Sequence, residues 1–341
     1  MNETFYSNLF NKEITDLTKF DFIQSELKIL PQSNFSQIQT NAKYKCSFKP
    51  GNVTSKICII IPSRNNGELL QFTLKNLFEN KINELCNIFV IDDRSNEDYS
   101  KLLENFENVF LARVDTANGF SYSTLCNTGA FLAYKLNFKK IIFWNNDLWV
   151  ESKNYLEQLI FQAENDNATI AGSKLLYPKI SVNSSDDSEN IKKYFPDMID
   201  GRWRGTVQFG GDAWLRFDRT PLVLSPVHNK RFSNKENIFV NCNRPASFVT
   251  GALQLIDLHW FIINGGFNCS LKKQFQDVDL CLRALQQNKI VMYYGKDIFF
   301  WHDESLSFEK EKENKNDSQT ISDHFLFAKI WNEKLAKMLF Y

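Results

Sequence analysis

From residue 57 onward, short apolar runs alternate with segments of helical period. Ile57-Cys58-Ile59-Ile60-Ile61 is a continuous apolar run ended by Pro62, the pattern of a strand buried on both faces. Runs at 87–91 (Asn-Ile-Phe-Val-Ile), 108–112, 140–144 (Lys-Ile-Ile-Phe-Trp) and 168–172 predict further strands. Helices are predicted between them at 68–79, near 97–105, at 122–136 and at 152–164. Apolar strands alternating with helices predict an α/β fold, a mostly parallel central sheet flanked by helices.

After Tyr177 the regularity stops. Residues 179–200 are rich in Ser, Asn and Asp and predict a surface loop, and 201–245 show no helical period. A strand is predicted at 247–256 and a short helix at 258–264. The helix predicted at 276–288 has Val278, Cys281, Leu282 and Leu285 at the i, i+3, i+4, i+7 positions of one face. Strands at 290–294 and 298–301, a charged loop at 303–318 and an amphipathic helix at 319–340 complete the chain. Residues 1–55 are polar, with weak helical period around 15–30, and are expected to form an extension packed on the main domain.

Composition narrows the function. The chain has 341 residues, and a chain of that size needs no disulfide or structural metal for stability. Its 40 basic and 40 acidic residues cancel, so no global field draws in nucleic acid. Aromatic residues reach 14%, with 31 Phe, which suits both a large core and a cleft where rings stack on sugar faces. Seven cysteines (46, 58, 86, 126, 242, 269 and 281) include no Cys-x-x-Cys pair and are expected as buried thiols in a reducing compartment. The N-terminus lacks the basic and apolar regions of a signal peptide, and no run of 18 apolar residues occurs, so the expected location is cytoplasmic.

Candidate chemistry sits at the carboxyl ends of the predicted strands, where open parallel sheets bind ligands. The first strand ends in Pro62-Ser63-Arg64-Asn65-Asn66, the second in Asp92-Asp93-Arg94-Ser95 and the fourth in Asn145-Asn146-Asp147; the last ends in His302-Asp303. No Gly-x-Gly-x-x-Gly or Walker A loop is present, which disfavours a dinucleotide fold or a P-loop. Asp92 and Asp93 read either as turn-formers or as carboxylates that bind a base and ribose. Asp147 reads as a turn residue or as a ligand for a hard divalent cation that neutralises a diphosphate. His302 lies among Phe299, Phe300 and Trp301, a setting common for structural histidines. Asp277 opens a helix and reads as a cap or as a general base.

The segments ICIIIPSRNN (57–66), FVIDDRSNED (89–98), NGFSYSTLCNTGA (118–130) and FWNNDLWV (143–150) occur in that order, followed over 249–302 by VTGALQLI, GGF, QDVDLCLR and WH. Together they resemble the family 2 glycosyltransferases of GT-A fold, in the branch of rhamnosyl- and galactofuranosyltransferases of bacterial surface glycans. The resemblance implies a nucleotide-diphospho-sugar transferase fold over 56–305, with a nucleotide-sugar half at 56–178 and an acceptor half at 179–305. The N-terminal extension (1–55) and a C-terminal loop and helix (306–341) flank it. It implies that Pro62, Ser63, Arg64, Asp92, Asp93, Asn118, Asn145, Asn146, Thr250 and Gly251 bind the donor. Asp147 and His302 would hold Mg2+ or Mn2+, and Asp277 would be the base of an inverting displacement. Gly266, Trp203 and Trp214 are candidates for the acceptor side, with Phe217 beside them. The chain departs from the family pattern at Asn145, first of the Asp-x-Asp triplet, at Gln276, where a Glu is usual, and at Arg94, where a Gly is usual.

The implied partners are a UDP-, dTDP- or GDP-linked sugar and a glycan or lipid-linked glycan. The C-terminal helix, with Phe325, Phe327, Trp331 and three lysines, leaves three arrangements open: docking on the core, joining a second copy in a homo-oligomer, or lying on the inner face of the membrane. A sugar-phosphate nucleotidyltransferase is disfavoured because PSRNNGELL lacks a Gly-rich loop. A non-catalytic glycan-binding or scaffold protein ranks behind the enzyme because Asp147, Asp277 and His302 are all present.

Overall fold

The structure, a computed structural model, describes residues 36–39, 45–49, 55–114, 120–178, 205–217, 223–271, 273–303 and 318–340. Its first elements are β1 (Ser36–Gln39), β2 (Lys45–Lys49), β3 (Ile57–Ser63), α1 (Gly67–Glu79), β4 (Asn87–Asp93), α2 (Tyr99–Leu102) and β5 (Val109–Val114). There follow α3 (Tyr122–Lys135), β6 (Lys140–Trp144), β7 (Leu148–Trp149), α4 (Lys153–Asn165), β8 (Ile170–Ser173), β9 (Leu175–Leu176) and β10 (Val207–Phe209). Next are β11 (Asp212–Phe217), β12 (Val223–His228), β13 (Asn243–Pro245), β14 (Leu253–Asp257) and α5 (Leu258–Ile263). The last are α6 (Gln276–Gln286), β15 (Val291–Tyr294), β16 (Phe300–His302) and α7 (Ser318–Phe340). The helical period at 15–30 and the loops at 179–200 and 304–317 lie outside the described residues.

The chain divides into two compact units, one of residues 1–146 and 254–272, the other of 147–253 and 273–341. In the first, the strands run in the order β1-β2-β5-β4-β3-β6-β14. β5, β4, β3 and β6 are parallel, and β1 and β2 extend the edge as an antiparallel pair, so part of the N-terminal extension belongs to the sheet. Every residue of β4 is buried, the consequence of an apolar strand covered on both faces. β3 runs on through Pro62 to Ser63, past the predicted end. Its ladder to β6 stops at Ile60, and Pro62 and Ser63 pair with Ile91 and Asp92 of β4. Gly129 lets α3 lie close on this sheet: a Cβ there would come within 2.6 Å of the Ile60 Cγ2.

In the second unit β8 and β15 are parallel, with β13 antiparallel to β15. A smaller sheet has the order β10-β9-β16-β7, and β11 and β12 form a hairpin. That hairpin falls in the stretch whose sequence shows no period. Pro226 stands opposite Trp214 in it, a placement tolerated in a ribbon whose strands each have an open side. The strand predicted at 247–256 is shorter in fact: the chain turns at Thr250, whose carbonyl accepts the Leu253 N–H, and β14 begins only there. Along helix α7, Phe327, Trp331 and Leu335 are buried, with Phe327 stacked on Phe275 and Trp331 bonded to Asp279, and Phe325 is 73% exposed. Among the described residues no helix is long and apolar enough to cross a membrane.

Gly129→Val should force Ile60 and Ile91 apart and destabilise the protein by roughly 1–3 kcal/mol. Denaturant unfolding with an unchanged slope and a lower midpoint is the expected result; a midpoint equal to wild type would mean that the helix can lift without cost.

Candidate active site

In the first unit, the parallel register sets Ser63 beside Asp92 and carries both into the turns that follow β3 and β4. Those turns are tied together: Asn65 N–H donates to Ser95 Oγ (2.8 Å), and Asn96 N–H donates to Asn65 Oδ1 (2.7 Å). Asp92 and Asp93 are both 0% exposed. Asp92 Oδ1 accepts the Ser95 N–H at 2.9 Å, and Arg113 approaches Oδ2 at 3.6 Å. Burial pushes the Asp92 carboxyl up, while the bonds from Ser95 and the Arg113 charge oppose the shift. Asp92 thus organises the turn itself.

Asp93 lies between two guanidinium groups, with Arg64 Nη1 at 3.4 Å from Oδ2 and Arg94 Nε at 3.1 Å from Oδ1. Arg94 sits at φ +52°, the left-handed conformation that explains why glycine is usual there. For any other residue it costs about 1–2 kcal/mol, and the contact with buried Asp93 offsets that cost. Two polar groups escaped the sequence analysis. The Tyr99 hydroxyl bonds Ser63 Oγ (2.9 Å) and accepts the Asn66 N–H (3.2 Å), and Arg113 donates to the Ser95 carbonyl (2.6 Å). Asn146 is buried, its Nδ2 3.4 Å from Ser63 Oγ and its carbonyl accepting from Thr73 Oγ1 at 2.6 Å. Asn145 is half-buried. Asn118 lies outside the described residues.

In the second unit, the short antiparallel pairing of β7 with β16 brings Asp147 and His302 together. Trp301 faces Trp149, His302 faces Leu148, and Asp303 N–H donates to the Asp147 carbonyl at 3.0 Å. His302 Nε2 then lies 3.1 Å from Asp147 Oδ1, with the two residues only 6% and 4% exposed. The approach lacks hydrogen-bond alignment, so Asp147 Oδ1 is a buried oxygen with no hydrogen-bond donor. Such an atom is costly unless something cationic meets it. A carboxylate oxygen and an imidazole nitrogen side by side form a donor pair that suits Mn2+ or Mg2+. Among the described residues no third His, Cys, Asp or Glu joins them, which leaves the remaining positions to water and to ligand oxygens.

Asp277 is the second residue of α6 and half-buried. Its Oδ2 accepts the Gly251 N–H at 2.7 Å and its Oδ1 the Val278 N–H at 2.8 Å. Gly251 allows this approach: a Cβ there would stand 3.3 Å from the Asp277 Cβ. Burial pushes the Asp277 carboxyl up; the two backbone bonds and the nearby His228 pull it back. His228, which the sequence analysis passed over, is oriented by a 2.9 Å contact between its Nδ1 and the Gln208 carbonyl. Thr250 is buried in the turn before Gly251.

The acceptor-side candidates fall in different places. Gly266, in the first unit, has φ +63°, and Asn127 clamps the adjoining Phe267 through both its N–H (2.8 Å) and its carbonyl (2.9 Å). Trp214, in the second unit, donates its indole N–H to Ser247 Oγ (2.8 Å) and meets the Phe248 ring edge-on. Phe217 ends β11, and Trp203 lies outside the described residues.

Residues 58–220 match the profile of glycosyl transferase family 2. Hyaluronan synthase of Pasteurella multocida is 26% identical over 212 residues, 57% of this chain and 21% of that protein. O-antigen biosynthesis protein RfbC of Myxococcus xanthus is 23% identical over 239 residues, 70% of this chain and 16% of that protein. The chain therefore spans about a fifth or less of the length of these relatives. Among solved structures, GalNAc-T7 with UDP, GalNAc and Mn2+ superposes with a TM-score of 0.51 at 13% identity, covering 72% of this chain and 42% of that one. The architecture is thus the GT-A glycosyltransferase fold expected from the sequence. Within it, residues 58–220, just under half of the chain, are similar to the family 2 glycosyltransferases.

With Asp277 as the base, turnover should fall as pH drops through its raised pKa, so the acid limb of kcat/KM should lie above the ordinary carboxylate value of about 3.9. Removing the opposing charge in His228→Gln should move that limb to still higher pH. A limb that stays put in H228Q, measured with constant ionic strength, would separate His228 from the titrating group.

Proposed function

We propose that this protein is an inverting glycosyltransferase that moves one sugar from a nucleotide-diphosphate sugar to a glycan or lipid-linked glycan in bacterial surface polysaccharide synthesis. The rhamnosyl- or galactofuranosyl-type branch and a cytoplasmic location are part of this proposal; Cys58, Cys86, Cys126, Cys242, Cys269 and Cys281 are free thiols, which suits a reducing compartment. The observation that carries the reading is the buried, donor-less Asp147 Oδ1 beside His302 Nε2. These two residues would hold Mg2+ or Mn2+, which when bound supplies positive charge against the leaving diphosphate.

The other roles belong to the chain's own groups. Asp93, with Arg64 and Arg94 against its carboxylate, and the turn built by Asp92 would receive the nucleoside, with Ser63, Asn145 and Asn146 at its edge. Asp277 keeps lone pairs beyond those used by Gly251 and Val278 and would take the proton of the acceptor hydroxyl. The acceptor oxygen bonds to the anomeric carbon as the bond from that carbon to the diphosphate oxygen breaks, and the configuration inverts. Raised basicity from burial helps this step, since an ordinary carboxylate is a weak base at neutral pH. Trp214 would lend the acceptor side an aromatic face.

The direct test is a panel of UDP-, GDP-, dTDP- and CMP-sugars, each assayed for binding and nucleotide release with Mn2+ and with EDTA. One nucleotide class should bind in a metal-dependent way. Asp147→Ala should cut nucleotide release by roughly 10²–10³-fold while the fold survives. Absence of binding across the panel by folded protein would refute the transferase reading.

A further inference from the structure

Around Asp277 the loop that starts α6 is held from outside by the C-terminal helix. Phe275, the residue before α6, sits at φ +65°, a conformation rare for a bulky side chain and kept only where neighbours enforce it. Its ring stacks on Phe327 at 4.8 Å between centroids and meets the His324 ring edge-on at 4.5 Å. One step earlier, the Asp323 carboxylate accepts the N–H groups of both Lys273 (2.8 Å) and Gln274 (3.0 Å) through the same oxygen, Oδ2. One turn into α6, the Trp331 indole N–H donates to Asp279 Oδ1 at 2.9 Å, and Arg283 Nε holds Asp279 Oδ2 at 2.9 Å.

Asp323, Phe327 and Trp331 follow at intervals of four along α7, so they form one stripe, and all three are buried. A stripe serving only as hydrophobic cover would not need a buried carboxylate at one end and an indole N–H bonded to a second carboxylate at the other. Both polar contacts land within four residues of Asp277, one on each side of it.

We propose that α7 is a positioning clamp for Asp277, acting through Asp323, Phe327 and Trp331 on the backbone that aims the base; the proposal rests on the assignment of Asp277 as that base. The clamp fixes where the carboxylate points without touching donor or acceptor. Its loss therefore lowers turnover and leaves nucleotide affinity alone.

The test measures nucleotide release, with water as acceptor, from whichever member of the nucleotide-sugar panel the wild-type protein hydrolyses in Mn2+, together with nucleotide binding. Asp323→Ala should lower kcat by about tenfold to 100-fold with KM and nucleotide affinity within about twofold of wild type. Asp323→Asn should recover most of that loss, because its amide oxygen can still accept both N–H groups. Trp331→Phe, which keeps the ring and loses the N–H, should cost about threefold to tenfold in kcat. In a D277N background, D323A should remove little more.

Asp277→Asn tests the underlying assignment by itself. Wild-type release in D277N would overturn the base and the clamp together. A dead D277N with wild-type kcat in D323A and W331F would overturn the clamp and leave the base standing. Parallel losses of nucleotide affinity and kcat in D323A, or losses that add to those of D277N, would also overturn it by showing a general structural role. Should D323A fail to fold, W331F and D323N decide: a kcat loss in W331F at unchanged nucleotide affinity supports the clamp, and an unchanged kcat overturns it.

Discussion

Six aspartates, Asp92, Asp93, Asp147, Asp279, Asp303 and Asp323, carry their side chains into the interior, and the backbone around most of them is arranged to meet them. A buried carboxylate loses its water and must find donors or cations inside the protein. Asp92 finds the Ser95 N–H and so fixes the turn after β4; Asp93 finds two arginines. Asp279 and Asp323 find a tryptophan N–H and two backbone N–H groups. Two of these carboxylate oxygens lack a hydrogen-bond donor: Asp92 Oδ2, which has the Arg113 guanidinium at 3.6 Å, and Asp147 Oδ1, which faces His302. The same physical demand ties Asp92, Asp93, Asp279 and Asp323 to partners within the chain and leaves Asp147 as the candidate for a metal ion.

Much of the α/β pattern was legible because its strands are buried on both faces. Ile57–Ile61, Asn87–Ile91 and Lys140–Trp144 announce themselves as apolar runs, and β3, β4 and β6 lie there. The hairpin of β11 and β12 was not legible. Asp212, Arg216, Pro226 and His228 interrupt any alternation, and its register depends on pairing between strands that no single window reveals. β7 and β9, of two residues each, are too short to carry a period at all. Yet β7 is the strand whose pairing with β16 joins Asp147 to His302.

For the candidate site, the strand-end rule and the motif order singled out Asp93, Asp147, Asp277 and His302 but said little about their partners. Arg94 illustrates the gap. In the sequence it is only a departure from glycine; the structure has it on Asp93, in the left-handed backbone conformation that glycine adopts freely. Tyr99, Arg113 and His228 were missed because each acts from an element distant in sequence from the motif it serves: Tyr99 on Ser63, Arg113 on Asp92 and His228 near Asp277. Hydrogen bonds of this kind are a product of tertiary packing, and a single sequence holds no local sign of them.

The first unit is discontinuous: its sheet takes β14 from a segment that follows β6 by more than a hundred residues. On a ribosome adding about 5–20 residues per second, β6 waits roughly 6–23 s for that neighbour. During the wait Ile142, Phe143 and Trp144, fully buried in the finished protein, belong to an unpaired strand edge. The nascent chain is thus most open to wrong pairing and to chaperone capture while the second unit is being made, and the rate of synthesis across residues 147–253 becomes a determinant of folding yield.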